Sequence, residues 1–217
     1  MLDLGFFAMQ RGTEAQRVVK KRRVQQMAES KSSETIRVYV TDMASLESHI
    51  EEALDRQLDI VKEHPKASAA VNQLHVLARS HRDALKAHIE SRGGSTTGGI
   101  KGAVAAAAGV AAGLIDKVRP ESVSKALRDD YTAVNLATIG YTMLHATAGM
   151  LGDQATVSLA ERHIRDYTSA IEGINQIIAD VVAWDLRNDG LDVDQSAVQE
   201  TTEKLNNIWR ETEPSVK

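Results

Sequence analysis

Apolar residues recur at steps of three and four over most of the chain, the period of helices with one buried face. The clearest stretch runs from Ser33 to Arg92. Its first half carries Val40, Met43, Glu47, Ile50, Leu54 and Val61 in one line, with Gln57 or Leu58 filling the gap. Its second half carries Val71, Leu74, Ala78, His81, Leu85 and His88. His64-Pro65 separates the halves, so the pattern predicts two long helices folded back on each other. Pro65 suits the first turn of the second helix, where a missing N–H costs nothing. Ser32 or Ser33 can cap the first helix, and Arg92-Gly93-Gly94 stops the second.

Two polar residues, Glu47 and His81, interrupt these seams. Each lies 17 residues from the turn at His64, and in an antiparallel hairpin equal distance means equal height. The carboxylate and the imidazole are therefore expected to face each other inside. The same mirror pairs Leu54 with Leu74, Ile50 with Ala78 and Met43 with Leu85, a sensible core.

A third helical segment, about 121–150, places Leu127, Tyr131, Val134, Thr138, Tyr141 and His145 at seam spacing. Gly152-Asp153 reads as a stop followed by an N-cap. The fourth segment, about 154–187, repeats Val157, Ala160, Ile164, Tyr167, Ile171, Ile174, Ile178 and Val181. His163 falls off that line, and His49, His64 and His75 read as surface-facing. Asn188-Asp189-Gly190 ends the segment. Residues 188–217 hold seven acidic against three basic residues and one further short helix, about 195–210, with Trp209 as its packing anchor.

Between the hairpins lies the flexible stretch 93–99 and then the small-residue run 102–115, with Gly109 and Gly113 four apart. That run is too short and too weakly apolar to cross a bilayer. It reads as a short helix within a crossover, about 93–120. Two hairpins joined by a long crossover is an all-α organisation, an antiparallel four-helix bundle of ferritin-like plan. The expected domains are a basic arm (1–33), the bundle (34–187) and an acidic extension (188–217).

Composition narrows the chemistry. The chain has 217 residues, 42% hydrophobic, 4% aromatic and 26% charged, with three prolines and no cysteine. Disulfides, iron–sulfur clusters and thiolate zinc sites are excluded, leaving His and carboxylates as metal ligands. Residues 1–33 carry seven basic against three acidic residues, a net of +4, which leaves −8 for the rest of a chain of net charge −4. The run Lys20-Lys21-Arg22-Arg23 is short and reads as solvated, so nucleic acid is not a strong expectation. The apolar opening, Leu2 to Met9, has no basic residues before it, so a secretory signal is not expected there. A cytoplasmic location is expected.

Asp42-x-x-x-x-Glu47, a second helix ending in Gly-Gly, the crossover's Gly113-Leu114-Ile115-Asp116, and Ala137-x-Ile139-Gly140-Tyr141 together resemble the ferritin-like YciE/YciF family. The resemblance covers about 35–185. It implies a four-helix bundle, often dimeric, associated with bacterial stress responses, with a di-metal carboxylate site of iron or manganese.

A ferritin-like di-iron site takes one Glu from each of two helices and Glu-x-x-His from each of the other two. Glu47 and His81 match two of these ligands. Ala78 stands where the carboxylate three residues before His81 belongs, and the fourth segment has no Glu-x-x-His. A full oxidase site is therefore not expected. Glu47 and His81 read first as a buried hydrogen-bonded pair, to which the tyrosines of the third and fourth helices would donate. The competing reading makes them ligands of one metal ion, with Tyr131, Tyr141 or Asp130 contributing. The functional expectations follow the same split: a non-catalytic, stress-related or assembly bundle that forms dimers or higher homo-oligomers, or an atypical iron or manganese oxidase. A third expectation, membrane-surface or nucleic-acid binding through the basic arm, is weaker.

Overall fold

The computed structural model of the chain describes residues 4–94 and 122–211. Among these residues there are five helices and no strand: α1 (Leu4–Val61), α2 (Pro65–Ser91), α3 (Val123–Met150), α4 (Gln154–Asn188) and α5 (Gln195–Glu211). None of these helices is long and apolar enough to cross a membrane. The small-residue run 102–115, with the helix expected there, lies outside the described residues.

The chain divides into two units, residues 1–39 and 40–217. In the first, Lys20 to Arg23 are exposed and Arg37 pairs with Glu34 at 2.5 Å. The helix start expected at Ser32 or Ser33 is not there, because α1 runs through those residues unbroken. Between Thr13 and His64 the sequence contains no Gly and no Pro, so nothing forces a stop. Local serine and threonine hydroxyls turn back onto the helix instead, as Thr35 does by donating to the Lys31 carbonyl at 3.0 Å.

In the second unit the predicted seams of α1 and α2 are the buried ones, except that Ile89 rather than His88 is buried at the end of α2. Val40, Met43, Glu47, Ile50, Leu54, Gln57 and Val61 are buried on α1, and Ala67, Val71, Leu74, Ala78, His81, Leu85 and Ile89 on α2. Each buried Leu, Ile or Val contributes roughly 1.5–3 kcal/mol of transfer free energy. His64 corrects the expectation of a surface residue. It is buried, caps α2 by accepting from the Ala67 N–H through Nδ1 at 3.2 Å, and meets Trp184 edge-on.

Cross-helix contacts fix the directions. Glu51 of α1 binds Arg79 and Arg82 of α2. Along the α2–α4 pair, Lys66 meets Asp180, His88 meets Thr156, and Arg92 meets Asp153. Along α3–α4, His145 meets Glu161, and the Asp185 carboxylate accepts from the backbone N–H groups of Val123 and Ser124 at 3.1 and 2.9 Å. Between α1 and α3, Met43 lies against Gly140 and Gln57 bonds Asp130. In every pair the numbers rise on one helix as they fall on the other, so neighbours run antiparallel and α2 and α3 point the same way. Gly94 and Ser122 therefore sit at opposite ends of the bundle.

Gly93 and Gly152 both have φ near +80°, at 75° and 79°, which is why glycine stands at these helix ends. α5 packs on the end of α4 through Val198, its one buried residue. Trp209, expected to anchor it, is 50% exposed.

The α4 seam keeps the predicted Ala160, Tyr167, Ile174 and Val181 but replaces Val157, Ile164 and Ile171 by their preceding neighbours. Thr156, Ala160, His163, Tyr167, Ala170, Ile174 and Val181 are buried, whereas Val157, Ile164 and Ile171 flank the core and are only half-buried. The small Ala160 and Ala170 face inward because α4 lies against α2 and α3 together, where bulk would hold the helices apart.

Candidate functional site

One side chain from each of α1, α2, α3 and α4 meets at a single level of the bundle. Glu47 is fully buried, and its neighbours His81, Tyr141 and Tyr167 are at most 2% exposed. The α1 seam aims Glu47 inward where an Ile or Leu would otherwise sit. The Tyr141 hydroxyl donates to Glu47 Oε1 at 2.6 Å, and the Tyr167 hydroxyl donates to Oε2. His81 Nδ1 faces Oε1 at 3.3 Å, and its Nε2 faces Asp166 Oδ2 at 3.1 Å. Equal distance from the His64 turn thus does place the carboxylate and the imidazole opposite each other.

This level is satisfied as hydrogen bonding. A carboxylate only accepts, so the two oxygens facing His81 are both met when both ring nitrogens carry protons. Burial raises the phenols of Tyr141 and Tyr167 well above their ordinary range, and the Glu47 charge adds to it. Both therefore remain neutral donors. A buried carboxylate would be severely destabilising alone. Here it holds three donors from three other helices.

Two participants were not anticipated from the sequence. His163 of α4 is buried and stacks on His81, ring centroids 3.9 Å apart and 16° from parallel. Tyr141 meets His163 edge-on, and Tyr167 meets His81 likewise. Burial, the neighbouring His81 and Arg162 together lower His163 from 6.5 to about 3, so its ring is neutral. Its Nδ1 is buried with no partner among the described residues. Asp166 reaches in from an exposed position. The signal that finds His163 is its spacing: it lies three residues after Ala160 and four before Tyr167.

The other candidates lie elsewhere. Asp130 is buried against Gln57, 11 residues before Tyr141, or roughly 16 Å along the helix. Tyr131, ten residues before Tyr141, is also at another level. Neither reaches Glu47, so Tyr141 is the only one of the three proposed helpers that does. Burial holds the Asp130 carboxyl well above the ordinary carboxylate range, with a further push from Asp129, and its Oδ2 has no partner among the described residues. His145 faces Glu161 at the surface side of α3, and His88 bonds Thr156. His75 lies near Asp55 and is largely covered, and His49 Nε2 is buried, so neither is the surface residue expected.

As arranged, Glu47 and His81 do not fit a metal centre. The carboxylate already holds tyrosine hydroxyls on both oxygens, and each nitrogen of His81 is engaged with a carboxylate. Among the described residues no group of three or more His, Asp or Glu side chains is placed to hold an ion. The arrangement can bind four helices into one register, with Asp166, His81 and Glu47 in one line of hydrogen bonds. Compared with protein-family models, with curated proteins and with solved structures, the chain matches none.

Proposed function

We propose that the chain is a ferritin-like bundle of the YciE/YciF kind in which the metal level has become a structural hydrogen-bonded level. In this reading it works through its surfaces, as a non-catalytic, stress-related assembly or interaction component of the cytoplasm. The observation that supports it most is that Glu47 takes hydroxyl donors from Tyr141 and Tyr167 on its two oxygens. A ligand to iron or manganese would need those oxygens for the cation. The antiparallel order of the neighbouring helices, with α2 and α3 parallel, accords with the ferritin-like plan.

The alternative, an iron or manganese oxidase with an atypical site, draws support from His163, whose unpartnered Nδ1 lies beside the ring of His81. Elemental analysis of protein purified without a polyhistidine tag separates the two. The structural reading expects iron and manganese well below one ion per chain, and no saturable oxidation of added Fe(II) in air. Stoichiometric metal that disappears in both Glu47→Gln and His163→Ala would overturn it.

A further inference from the structure

Helix α3 carries a second apolar seam, and that one faces outward. Its buried seam includes Leu127, Val134, Tyr141 and Ala148. On the opposite side Thr132, Leu136, Ile139, Met143, Ala146 and Met150 follow one another at alternating steps of four and three. Ile139, Met143 and Met150 are 55%, 51% and 86% exposed, and Thr132 and Ala146 are exposed as well. Alternating threes and fours are the spacing of a coiled-coil seam.

The face also lacks charge. From Tyr131 to Gly152 the sequence contains no Asp, Glu, Lys or Arg. Exposed positions on the other helices include many charged residues, such as Arg79 and Asp83 on α2 and Arg162 and Glu172 on α4, and apolar ones such as Val76 and Val182 stand among them. A continuous exposed apolar seam without a charge, on a bundle whose other faces mix charged and apolar residues, is the mark of a docking face.

We infer that this face of α3 packs against the same face of a second copy, antiparallel, about a two-fold axis at the level of Tyr141. The register is what selects a second copy over another protein. With the axis there, Met150 of one copy lies over Thr132 of the other, Leu136 over Ala146, and Ile139 over Met143. Each layer sets a larger side chain against a smaller one or matches two of similar size, so the seam is complementary to itself. The uncharged surface leaves nothing to repel its own image, as an isologous contact requires. The inference does not depend on how the Glu47 level is read.

Light scattering of the full chain, together with Met143→Glu, tests it. The wild type is expected to be a dimer. Met143→Glu, a change at a half-exposed position, sets a carboxylate against Ile139 of the other copy and should give a monomer with unchanged helix content. Adding Ile139→Lys sets a lysine opposite each new glutamate and should restore the dimer, which a parallel pairing would not do. The cysteine-free chain allows a second measurement: Thr132→Cys with Met150→Cys should oxidise to a covalent dimer. A monomeric wild type, a dimer indifferent to Met143→Glu, or failure of the cysteine pair to link would overturn the inference. Loss of vesicle binding in Met143→Glu with no dimer to lose would assign the face to lipid instead.

Discussion

His163 lies flat against His81, ring centroids 3.9 Å apart, while carboxylates of Glu47 and Asp166 face the two nitrogens of His81. One imidazole of the stack is thus provided with acceptors and the other is not. Charge on both rings would put like charges face to face in the core.

The pH dependence follows with a definite sign. The folded value for His163 is about 3, below the 6.5 of an unfolded chain, so the unfolded state takes up the proton first. Stability from the neutral ring is complete above pH 6.5 and falls as pH drops towards 3, by about 1.4 kcal/mol per pH unit. His163→Phe keeps a ring in the stack and removes this loss. Urea titrations at pH 7 and pH 5 should show the variant gaining on the wild type in acid. An equal difference at the two pH values would show that His163 does not titrate in this way.

Asp130 has the opposite sign. Burial raises its carboxyl well above 3.8, and Asp129 adds to it, so the neutral form is the one the fold favours. That contribution is complete below pH 3.8 and is lost as pH rises. Asp130→Asn, which keeps a neutral side chain for Gln57, should therefore stabilise the protein at neutral pH and give no advantage in strong acid. Thermal melts at pH 7 and pH 3 measure both halves of this expectation.

The α1–α2 hairpin was legible because its signals are local. Pro65 marks its turn and Gly93 its end, and a seam of large side chains marks its face. Height along the pair was legible too, since an antiparallel mirror about His64 fixes it. The α4 face was read only in part, because Ile164 and Ile171, large but peripheral, outweighed His163 and Ala170, polar or small but central. Giving the place between Ala160 and Tyr167 to Ile164 removed His163 from view. The start of α1 was misplaced for a different reason. Ser32 and Ser33 are good caps only where something ends the preceding helix, and nothing here does.

The junction of α3 and α4 rests on Asp153. Its carboxylate accepts from the Thr156 N–H at 3.2 Å and hydroxyl at 2.8 Å, and binds Arg92 at the end of α2. Burial pushes this carboxyl up, but the Arg92 and Thr156 hydrogen bonds outweigh it and hold it at about 2. Asp153→Ala should destabilise the fold by about 0.5–2 kcal/mol at pH 7, the usual range for a lost cap. Asp153→Asn keeps the cap, loses the ion pair and should fall between. Because the folded value is depressed, the contribution is present above 3.8 and lost as pH falls towards 2. Wild type and Asp153→Ala should then converge when denatured at pH 2.

Glu47 accepts from more helices than any other residue at its level, which makes the two halves of its pair with His81 unequal. Glu47→Leu leaves the Tyr141 and Tyr167 hydroxyls and His81 Nδ1 without an acceptor in the core, while His81 Nε2 keeps Asp166. His81→Leu leaves the carboxylate with both tyrosines still donating. Removing one partner of a buried ionic pair costs about 3–5 kcal/mol, and Glu47→Leu should lie at the upper end with His81→Leu below it. The double variant Glu47→Leu/His81→Leu should recover part of the loss, because no buried charge of the pair remains. It should not recover all of it, because two phenol hydroxyls are still unpaired, at about 1–3 kcal/mol each. Adding Tyr141→Phe and Tyr167→Phe removes those hydroxyls and should bring stability in urea back towards the wild type. If the phenylalanines give no gain in the double variant yet cost nothing in the wild type, the tyrosines are bystanders, and Glu47 is held by something other than this network.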